Sequence, residues 1–326
     1  MKKETKNKGE ESVVLVGGGG GVYRIAKFLK YVRGNITTVQ TIFDHGGHSG
    51  ELRDERGVLP PGDIRQAIVA LSDEEIEGDL RALLTHRFSP HNGSSLDGAT
   101  VGNILLTALT EITGNPVSAI NVLSRWFRVK GRVLPVSLDD CELCALLNDG
   151  SVLVGEGKID KRSENDKRKI KKVFLSPPAE IYREVPEAIV AAHKIVFCPG
   201  DLYTSLIPCT LVRGFKEALS RSKAKLIYVT NIMTKKAETD GFKASDFAKE
   251  LLRYIGQKRF DTIIVNTGEV RKNLLGEYEK QKAHPVVCDI SRLKSFAKNI
   301  VPENFVDDKG EVVRHNQRVA SIIARL

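Results

Sequence analysis

Five consecutive glycines, Gly17 to Gly21, follow a run of branched apolar residues and precede a helix-like pattern. The apolar run, "VVLV", suits a strand that is buried on both faces, and Ile25, Phe28 and Leu29 recur at helical spacing. The segment therefore predicts a strand, a glycine turn and a helix. Such a turn presents backbone N–H groups at a helix N-terminus, where the peptide dipoles favour an anion such as phosphate.

The glycine turn does not match the dinucleotide-binding pattern G-x-G-x-x-G. Counting from Gly17 places Val22 at the third glycine, and counting from Gly18 places Tyr23 there. The turn therefore indicates a phosphate-bearing ligand without indicating NAD.

Strand-like runs recur along the chain with helix-like segments between most of them: "VVLV", "TTVQTIF", "KIVF", "KLIYVT", "DTIIVN" and "HPVVCD". This alternation predicts the α/β class, with a Rossmann-like, mostly parallel sheet in a three-layer α/β/α arrangement. We expect a disordered tail over 1–11 and a single domain over 12–326. Within it, a helical and hairpin insertion is predicted at about 63–175, because 63–128 reads as consecutive helices and 148–150 is "NDG".

Capping residues suggest where the predicted helices begin and end. Asp63 in "LPPGDIRQAIVAL" suits a helix N-cap, and Ser72 with Glu75 repeats that pattern for the next helix. A third helix is expected to stop at Gly114 and Asn115.

Composition narrows the classes of function. The chain has 326 residues, 41% of them hydrophobic, and a formal net charge of +9. No apolar run approaches the roughly 20 residues that span a bilayer, and the N-terminus lacks a signal-peptide core, so we expect a cytoplasmic protein without membrane insertion. The basic run at 161–172 contains Glu164 and Asp166 and no aromatic residue, which favours a solvated loop over a nucleic-acid site.

Neither a metal site nor a disulfide scaffold is predicted. Five cysteines form one CxxC, Cys141 and Cys144, without a second pair or a nearby histidine pair. His45 and His48 could join Asp44 around a metal ion, but three ligands in one glycine-rich loop are a weak signal.

The loops that follow the predicted strands are rich in glycine, hydroxyl and carboxamide residues: "DHGGHSGELRDERG", "CPGDLYTS", "NIMT" and "NTGEVRKN". Ligands of open parallel sheets bind at the carboxyl ends of the strands, so these loops predict a crevice for a phosphate-bearing ligand, with ordinary turn chemistry as the alternative. Tyr203, Thr204 and Ser205 form a candidate second anion cradle. Asp44 is placed to meet ribose hydroxyls, or it bonds its own loop backbone.

No catalytic residue is predicted. The chain has no G-x-S-x-G elbow, and no serine or cysteine lies in a context that implies a base. Apart from Asp44 and Asp63, no paired carboxylates are apparent near the glycine loops, and Asp63 is interpreted first as a helix cap.

Several blocks together resemble the YvcK/CofD family: "VVLVGGGGGV", "DHGGHSGELRDERGVLPPGDIRQAIVAL", "VGNILLTALTEITG", "CPGDLYTSLIPCTLV" and "YVTNIMTKKAET". Their order and spacing fit from about residue 12 to the C-terminus. The resemblance is stronger to the YvcK branch, the gluconeogenesis factors, which implies binding of UDP-N-acetylglucosamine and a role in carbon metabolism and cell shape. The CofD branch implies Mg²⁺-dependent phospholactyl transfer from a nucleotide-linked donor to a deazaflavin.

The resemblance and the loops together imply a set of ligand-binding residues. Glycines of the first turn and the "LYTS" segment would hold phosphates, Asp44 would meet ribose or sugar hydroxyls, and Tyr278 and Arg314 would contact the nucleotide. The full set is Gly18, Gly19, Gly20, Gly21, Asp44, Gly46, Gly47, Ser49, Gly50, Arg53, Asp63, Arg65, Asn103, Gly200, Tyr203, Thr204, Ser205, Asn231, Thr234, Tyr278 and Arg314.

The chain departs from the family pattern in its ligand loops. Gly20 replaces a threonine, His45 replaces the second of two aspartates, and "CPGDLYTS" replaces "GPGSLYTS", which puts Asp201 near the expected phosphate. "MTKKAET" replaces "MTQPGET", so Lys235 and Lys236 could offset the charge of Asp201.

The leading hypothesis is a sugar-nucleotide binder that needs no cofactor, with a homo-oligomer or an envelope-synthesis protein as a further partner. The alternative is a phospho-L-lactate transferase in which Asp44 positions Mg²⁺. His45 argues against the transferase, because a neutral imidazole suits Mg²⁺ poorly.

Overall fold

The computed structural model describes residues 11–32, 35–73, 78–91, 93–94, 96–163, 166–307 and 309–326. In these ranges the strands are β1 Val13–Gly17, β2 Ile36–Gln40, β3 Arg132–Pro135, β4 Glu142–Leu147, β5 Val152–Val154, β6 Ile170–Ser176, β7 Lys194–Phe197, β8 Lys225–Val229, β9 Phe260–Asn266, β10 Ala297–Glu303, β11 Val306–Asp307 and β12 Arg314–His315.

The α-helices of the same ranges are α1 Gly19–Leu29, α2 Gly47–Arg56, α3 Pro61–Leu71, α4 Asp79–Thr85, α5 Val101–Thr113, α6 Pro116–Trp126, α7 Glu156–Asp160, α8 Glu184–Ala191, α9 Ile207–Leu211, α10 Phe215–Arg221, α11 Ala244–Ile255, α12 Lys272–Lys280, α13 Ile290–Leu293 and α14 Arg318–Arg325. A π-helix, Leu202–Leu206, precedes α9.

A parallel sheet with strand order β10-β9-β8-β7-β1-β2-β3 forms the centre of the molecule. The five residues of β1 are buried, as expected for a central strand covered on both faces. Helix α1 packs against α3 and α14, and a second group of helices is formed by α10 with α8 and α9 and by α9 with α11. The predicted α/β fold class is confirmed.

The topology places a switch point between β1 and β7. Strand β1 pairs with β2 on one side and with β7 on the other, so the chain leaves β1 and β7 toward opposite halves of the sheet. The turns after these two strands therefore diverge and leave a crevice at their carboxyl ends, the usual ligand position in open α/β sheets.

The structure differs from the predicted insertion at 63–175, because β3 lies inside that range and pairs in parallel with β2. Helices α3 to α6 therefore form a long crossover between two neighbouring strands of the central sheet. A separate antiparallel sheet, β5-β4-β6, follows, with its hairpin turn at the predicted 148–150. This small sheet is attached to α11, whose Tyr254 hydroxyl accepts the Val173 N–H at 2.8 Å.

The predicted strand "HPVVCD" is wrong. Val286 donates its N–H to the carbonyl of Ile232 at 2.8 Å, and Pro285 forms an isolated bridge with Met233. The segment therefore packs along the loop after β8, and β10 takes the edge of the sheet beside β9.

Terminal and capping predictions have mixed outcomes. Residues 1–10 of the predicted tail and Glu75 lie outside the described part of the chain, whereas Glu11 forms an ion pair with Lys194 at 2.9 Å. Helix α5 ends at Gly114 in the left-handed conformation, as predicted.

No described helix combines the length and apolar character needed to cross a membrane.

Candidate ligand-binding site

A cavity of about 660 Å³ opens at the carboxyl ends of β1, β7 and β8, and we call it the switch-point cavity. Its walls come from the turns after these strands, the end of α7 and the segments around α12 and β12. Ten of the predicted site residues line it: Gly18, Gly19, Gly20, Gly21, Gly200, Ser205, Asn231, Thr234, Tyr278 and Arg314.

The glycine turn contributes the start of α1. Gly18 caps the helix, and the Gly19 N–H is already bonded to Asp63 Oδ1 at 2.9 Å. The amides of Gly20 and Gly21 belong to the first helical turn, whose N–H groups have no intrahelical acceptor. With the helix dipole behind them, these amides suit an anionic oxygen.

At two of these positions a side chain would overlap a neighbouring group, so glycine is required there. A Cβ on Gly21 would lie 1.6 Å from the carbonyl oxygen of Pro199, and a Cβ on Gly18 would lie 2.3 Å from Asp63 Oδ2. A Cβ on Gly20, in contrast, would meet no atom of the described residues within 4 Å. The Cβ of a threonine at this position would therefore be accommodated.

The loop after β7 forms the second wall, but only part of the predicted "LYTS" cradle faces the cavity. Ser205 lines it, whereas Tyr203 and Thr204 are buried. The Tyr203 N–H donates to Glu238 Oε2 at 3.3 Å and the Thr204 hydroxyl to Glu238 Oε1 at 3.2 Å. Tyr203 also donates its hydroxyl to Glu250 at 2.9 Å, so both side chains hold the loop in place.

The loop after β8 is joined to the loop after β7 and to the segment after α12. Asn231 donates its Nδ2 to the carbonyl of Gly200 at 2.7 Å, while its buried Oδ1 has no hydrogen-bond partner among the described residues. Thr234 accepts the His284 N–H at 2.9 Å, which fixes the segment after α12. Lys235 extends from the same loop to three carboxylates, Asp160, Asp201 and Glu238.

The far wall is formed around Tyr278 and Arg314. The Tyr278 hydroxyl accepts the Val313 N–H at 3.0 Å, which places the tyrosine beside the strand that carries Arg314. His315 is buried and its Nε2 lies 3.0 Å from the carbonyl of Thr230. Burial lowers the pKa of His315 to about 4, so near neutral pH the neutral ring donates from Nε2 to that carbonyl.

A group of carboxylates lies beside the glycine turn, on the side of α3 and α7. Burial and the neighbouring charge of Asp44 raise the pKa of Asp63 to about 7. The same two causes raise the pKa of Glu156 to about 7, and burial raises that of Asp44. Asp63 and Glu156 therefore gain protons near neutral pH, which weakens their repulsion of an anionic ligand.

The predicted role of Asp63 as the cap of α3 is wrong. The helix begins at Pro61, so Asp63 is its third residue and no side-chain cap bond forms. Its carboxylate instead accepts the Gly19 N–H, which links the crossover helix to the glycine turn.

The remaining predicted residues do not line the switch-point cavity. Asp44 accepts the N–H of Gly46 at 2.7 Å, which is the local loop bond weighed as its alternative role. Arg53 pairs with Asp140 at 2.8 Å and Glu142 at 3.0 Å, and its guanidinium also contacts the His45 ring. These contacts make Arg53 a connection between α2 and the small sheet.

A buried polar network holds the crossover helices together. Arg65 donates Nε to Asn103 Oδ1 at 2.9 Å, and Asn103 Nδ2 donates to Ser49 Oγ at 3.1 Å. Gly47 and Gly50 lie in α2, the helix that carries Ser49, and a Cβ on Gly50 would fall 2.5 Å from the carbonyl oxygen of His45. Through Ser49 the network joins α3 and α5 to α2, the helix that follows the loop of Asp44.

The described residues contain one group of three or more carboxylate, histidine or cysteine side chains with ligand atoms within 4.8 Å of one another: Asp160, Asp201 and Glu238. Asp44 is not a member of it. His45 turns its ring toward Glu142, at 2.8 Å. In the transferase hypothesis, Asp44 would therefore draw its further Mg²⁺ ligands from outside this group.

Sequence reasoning missed several residues of the cavity wall. Arg24 lies one helical turn after Gly20, forms an ion pair with Asp307 and donates Nε to the His315 carbonyl at 3.2 Å. Arg162 belongs to the basic run that was interpreted as a solvated loop, yet it lines the cavity. The position of Arg24, one helical turn after Gly20, predicts that it lies near the cavity. Nothing in the sequence around Arg162 indicates that it does.

Comparison with known proteins agrees with this architecture. The family described as 2-phospho-L-lactate transferase CofD matches residues 13–306. A gluconeogenesis factor from Halalkalibacterium halodurans is 39% identical over 308 residues, covering 94% of this chain and 93% of that protein. A gluconeogenesis factor from Bacillus subtilis is 36% identical over 316 residues, covering 96% of this chain and 97% of that protein.

A solved structure supports the same relationship. The crystal structure of a protein from Bacillus halodurans superposes with a TM-score of 0.90 at 38% identity, covering 97% of this chain and 99% of that one. Fold, sequence and nearly complete coverage therefore agree, and the chain belongs to the YvcK/CofD family, with gluconeogenesis factors among its relatives.

Proposed function

We propose that the chain binds a sugar nucleotide, UDP-N-acetylglucosamine, in the switch-point cavity, and through this binding regulates carbon metabolism and cell shape. The observation that carries the proposal is the cavity itself, which combines helix-start amides at Gly20 and Gly21 with Tyr278 and Arg314 on the far wall. Its volume of about 660 Å³ is in the usual range for small-molecule sites.

The two ends of the cavity suit the two ends of such a ligand. Amides at a helix N-terminus favour the pyrophosphate oxygens. The Arg314 guanidinium can form paired hydrogen bonds with phosphate or carbonyl oxygens, and the Tyr278 ring offers a face to a base. The gluconeogenesis factor names of the relatives support the regulatory part of the proposal.

Calorimetric titration of the purified chain with UDP-N-acetylglucosamine tests the proposal. Loss of the arginine in Arg314→Ala should weaken binding by about tenfold or more, because a charge-assisted hydrogen bond is removed. Arg318→Ala is the matched control, because Arg318 lies in α14 and pairs with Glu303 at 3.8 Å. Absence of binding, or equal affinity of wild type and Arg314→Ala, would contradict the proposal.

The regulatory role needs a test in cells. Complementation of a Bacillus subtilis strain that lacks its gluconeogenesis factor should restore growth on a gluconeogenic carbon source with wild type and with Arg318→Ala. Arg314→Ala, expressed at the same level, should not restore growth if ligand binding drives the regulation.

A phospholactyl transferase is the second candidate, and the carboxylates beside the glycine turn favour it. Asp44, Asp63 and Glu156 supply oxygen ligands of the kind that Mg²⁺ prefers. This function predicts that GTP binds only with Mg²⁺ and that Asp44→Asn abolishes the metal dependence. Binding of UDP-N-acetylglucosamine that is unaffected by Asp44→Asn would favour the first candidate.

A further inference from the structure

Lys235 lies at the centre of three carboxylates in the wall of the switch-point cavity. Its Nζ is 2.6 Å from Asp201 Oδ2 and 3.2 Å from Glu238 Oε1, and it also contacts Asp160 Oδ1. These carboxylates come from α7, the loop after β7 and the loop after β8, so three separate segments converge on one ammonium group.

The spacing of the carboxylates is that of a cation site. One oxygen from each of Asp160, Asp201 and Glu238 can be chosen so that all lie within 4.8 Å of one another, close enough to share a single ion. Three oxygens from carboxylates are a typical part of a divalent-cation shell. Here the ammonium of Lys235 is within hydrogen-bonding reach of all three side chains.

The surroundings keep Lys235 charged. Burial by itself would lower the pKa of the ammonium, but the charges of Glu238, Asp201 and Asp160 raise it above its usual value. The side chain of Glu238 has no exposed surface, and this burial raises the pKa of its carboxyl group, whereas the charge of Lys235 opposes the rise and favours the carboxylate. An exposed ion pair would contribute little, whereas this lysine holds a buried carboxylate that also accepts bonds from Tyr203 and Thr204.

We propose that Lys235 is the resident cation of this site: it fills the position that a divalent metal ion would take among Asp160, Asp201 and Glu238. Ligand binding in the cavity is then independent of divalent metal, because the protein supplies the positive charge beside Asp201 itself. The metal independence of ligand binding rests on the proposed function, whereas the position of Lys235 in the cation site, the first statement, does not depend on any ligand.

Titration of the full chain with Mn²⁺, followed by the electron paramagnetic resonance signal of the free ion, tests the first statement without a nucleotide. Wild type should have no Mn²⁺ site at this cluster. Lys235→Met should gain one site per chain, at least about tenfold tighter than any wild-type site, because three carboxylates lose their internal cation. The double variant Lys235→Met/Asp201→Asn should lose the gained site.

Two control variants test whether the gained Mn²⁺ site results from loss of the Lys235 charge or from a general disturbance of the structure. Lys298→Met removes a lysine that pairs with Asp261 at 2.7 Å outside the cavity, and it should gain no site. Lys235→Arg keeps the positive charge and should likewise bind no Mn²⁺. A folded Lys235→Met without a new site would overturn the proposal.

The wild-type protein alone can also decide the question. If Lys235→Met does not fold by circular dichroism, a wild-type Mn²⁺ site that disappears in Asp201→Asn overturns the proposal, and the absence of such a site supports it. For the ligand, UDP-N-acetylglucosamine should bind wild type with the same affinity in EDTA and in Mg²⁺. Failure of the nucleotide to bind at all would count against the proposed function and leave the Mn²⁺ result to stand.

Discussion

Gly21 and Pro199 approach so closely that a Cβ on Gly21 would fall 1.6 Å from the Pro199 carbonyl oxygen. The turn after β1 and the turn after β7 therefore meet through bare backbone. This contact brings the helix-start amides next to the loop of Gly200 and Ser205, although β1 and β7 are far apart in the sequence.

Replacement of Gly21 by alanine should destabilise the protein by at least about 3 kcal/mol, because the backbone of one turn must move. Gly20→Ala is the matched control, since a Cβ there meets no atom within 4 Å. In the first turn of α1 it should stabilise the protein by about 0.5–1 kcal/mol. Urea unfolding of both variants measures the difference, and equal losses of stability would show that the contact is not restrictive.

The raised pKa of Asp63 predicts a pH-dependent effect of Asp63→Asn. The unfolded chain releases the proton near the ordinary value of 3.8, whereas the folded protein holds it up to about 7. The stabilisation from this group is therefore present at low pH and lost as pH rises toward 7. Asparagine still accepts the Gly19 N–H, so the variant should be more stable than wild type at pH 8, by no more than about 4 kcal/mol.

Urea unfolding at a series of pH values checks this sign. The difference between Asp63→Asn and wild type should shrink toward zero as the pH is lowered to about 4. Asp54→Asn, on the exposed side of α2, is the control. A difference that is constant with pH would mean that Asp63 titrates normally.

The central strands could be predicted from sequence, and the edge strands could not. Strands β1, β7, β8 and β9 are short apolar runs followed by polar turns, the pattern of strands covered on both faces. Strand β10, "AKNIVPE", is largely exposed and contains Pro302, as edge strands tolerate, so it lacks that pattern. Strand β3 has only four residues and follows a long helical crossover.

Site residues that lie on consecutive elements could also be predicted from the sequence, whereas those that meet only through folding could not. The glycine turn could be located because its strand, turn and helix are consecutive in sequence. Of the two lysines predicted to offset the charge of Asp201, only Lys235 pairs with it, because Lys236 pairs with Asp240 at 3.2 Å. Sequence spacing gives no information on Asp160, because the small sheet brings α7 to the cavity only in the folded chain.

Tyr278 is predicted to hold the segment before Arg314 in place. Tyr278→Phe removes the acceptor of the Val313 N–H, so stability should fall by about 0.5–1.5 kcal/mol. Hydrogen exchange of the peptide that contains residues 309–316 should become faster without ligand.

Tyr182→Phe is the matched control for this exchange experiment. It also removes one hydroxyl, which donates to Glu184 at 2.6 Å, and neither residue lines the switch-point cavity. Its exchange in 309–316 should equal that of wild type. Unchanged exchange in Tyr278→Phe would mean that other contacts fix the strand of Arg314.

His315 predicts loss of stability in acid. Its pKa in the folded protein is about 4, below the ordinary value of 6.5, so the unfolded chain takes up the proton first. The stabilisation is complete above 6.5 and is lost as pH falls toward 4, by no more than about 3 kcal/mol. His315→Gln cannot titrate, so its stability should change less than that of wild type over this range. Urea unfolding at each pH measures both, with the exposed His91→Gln as control; parallel curves for wild type and His315→Gln would contradict the burial of a neutral ring beside Thr230.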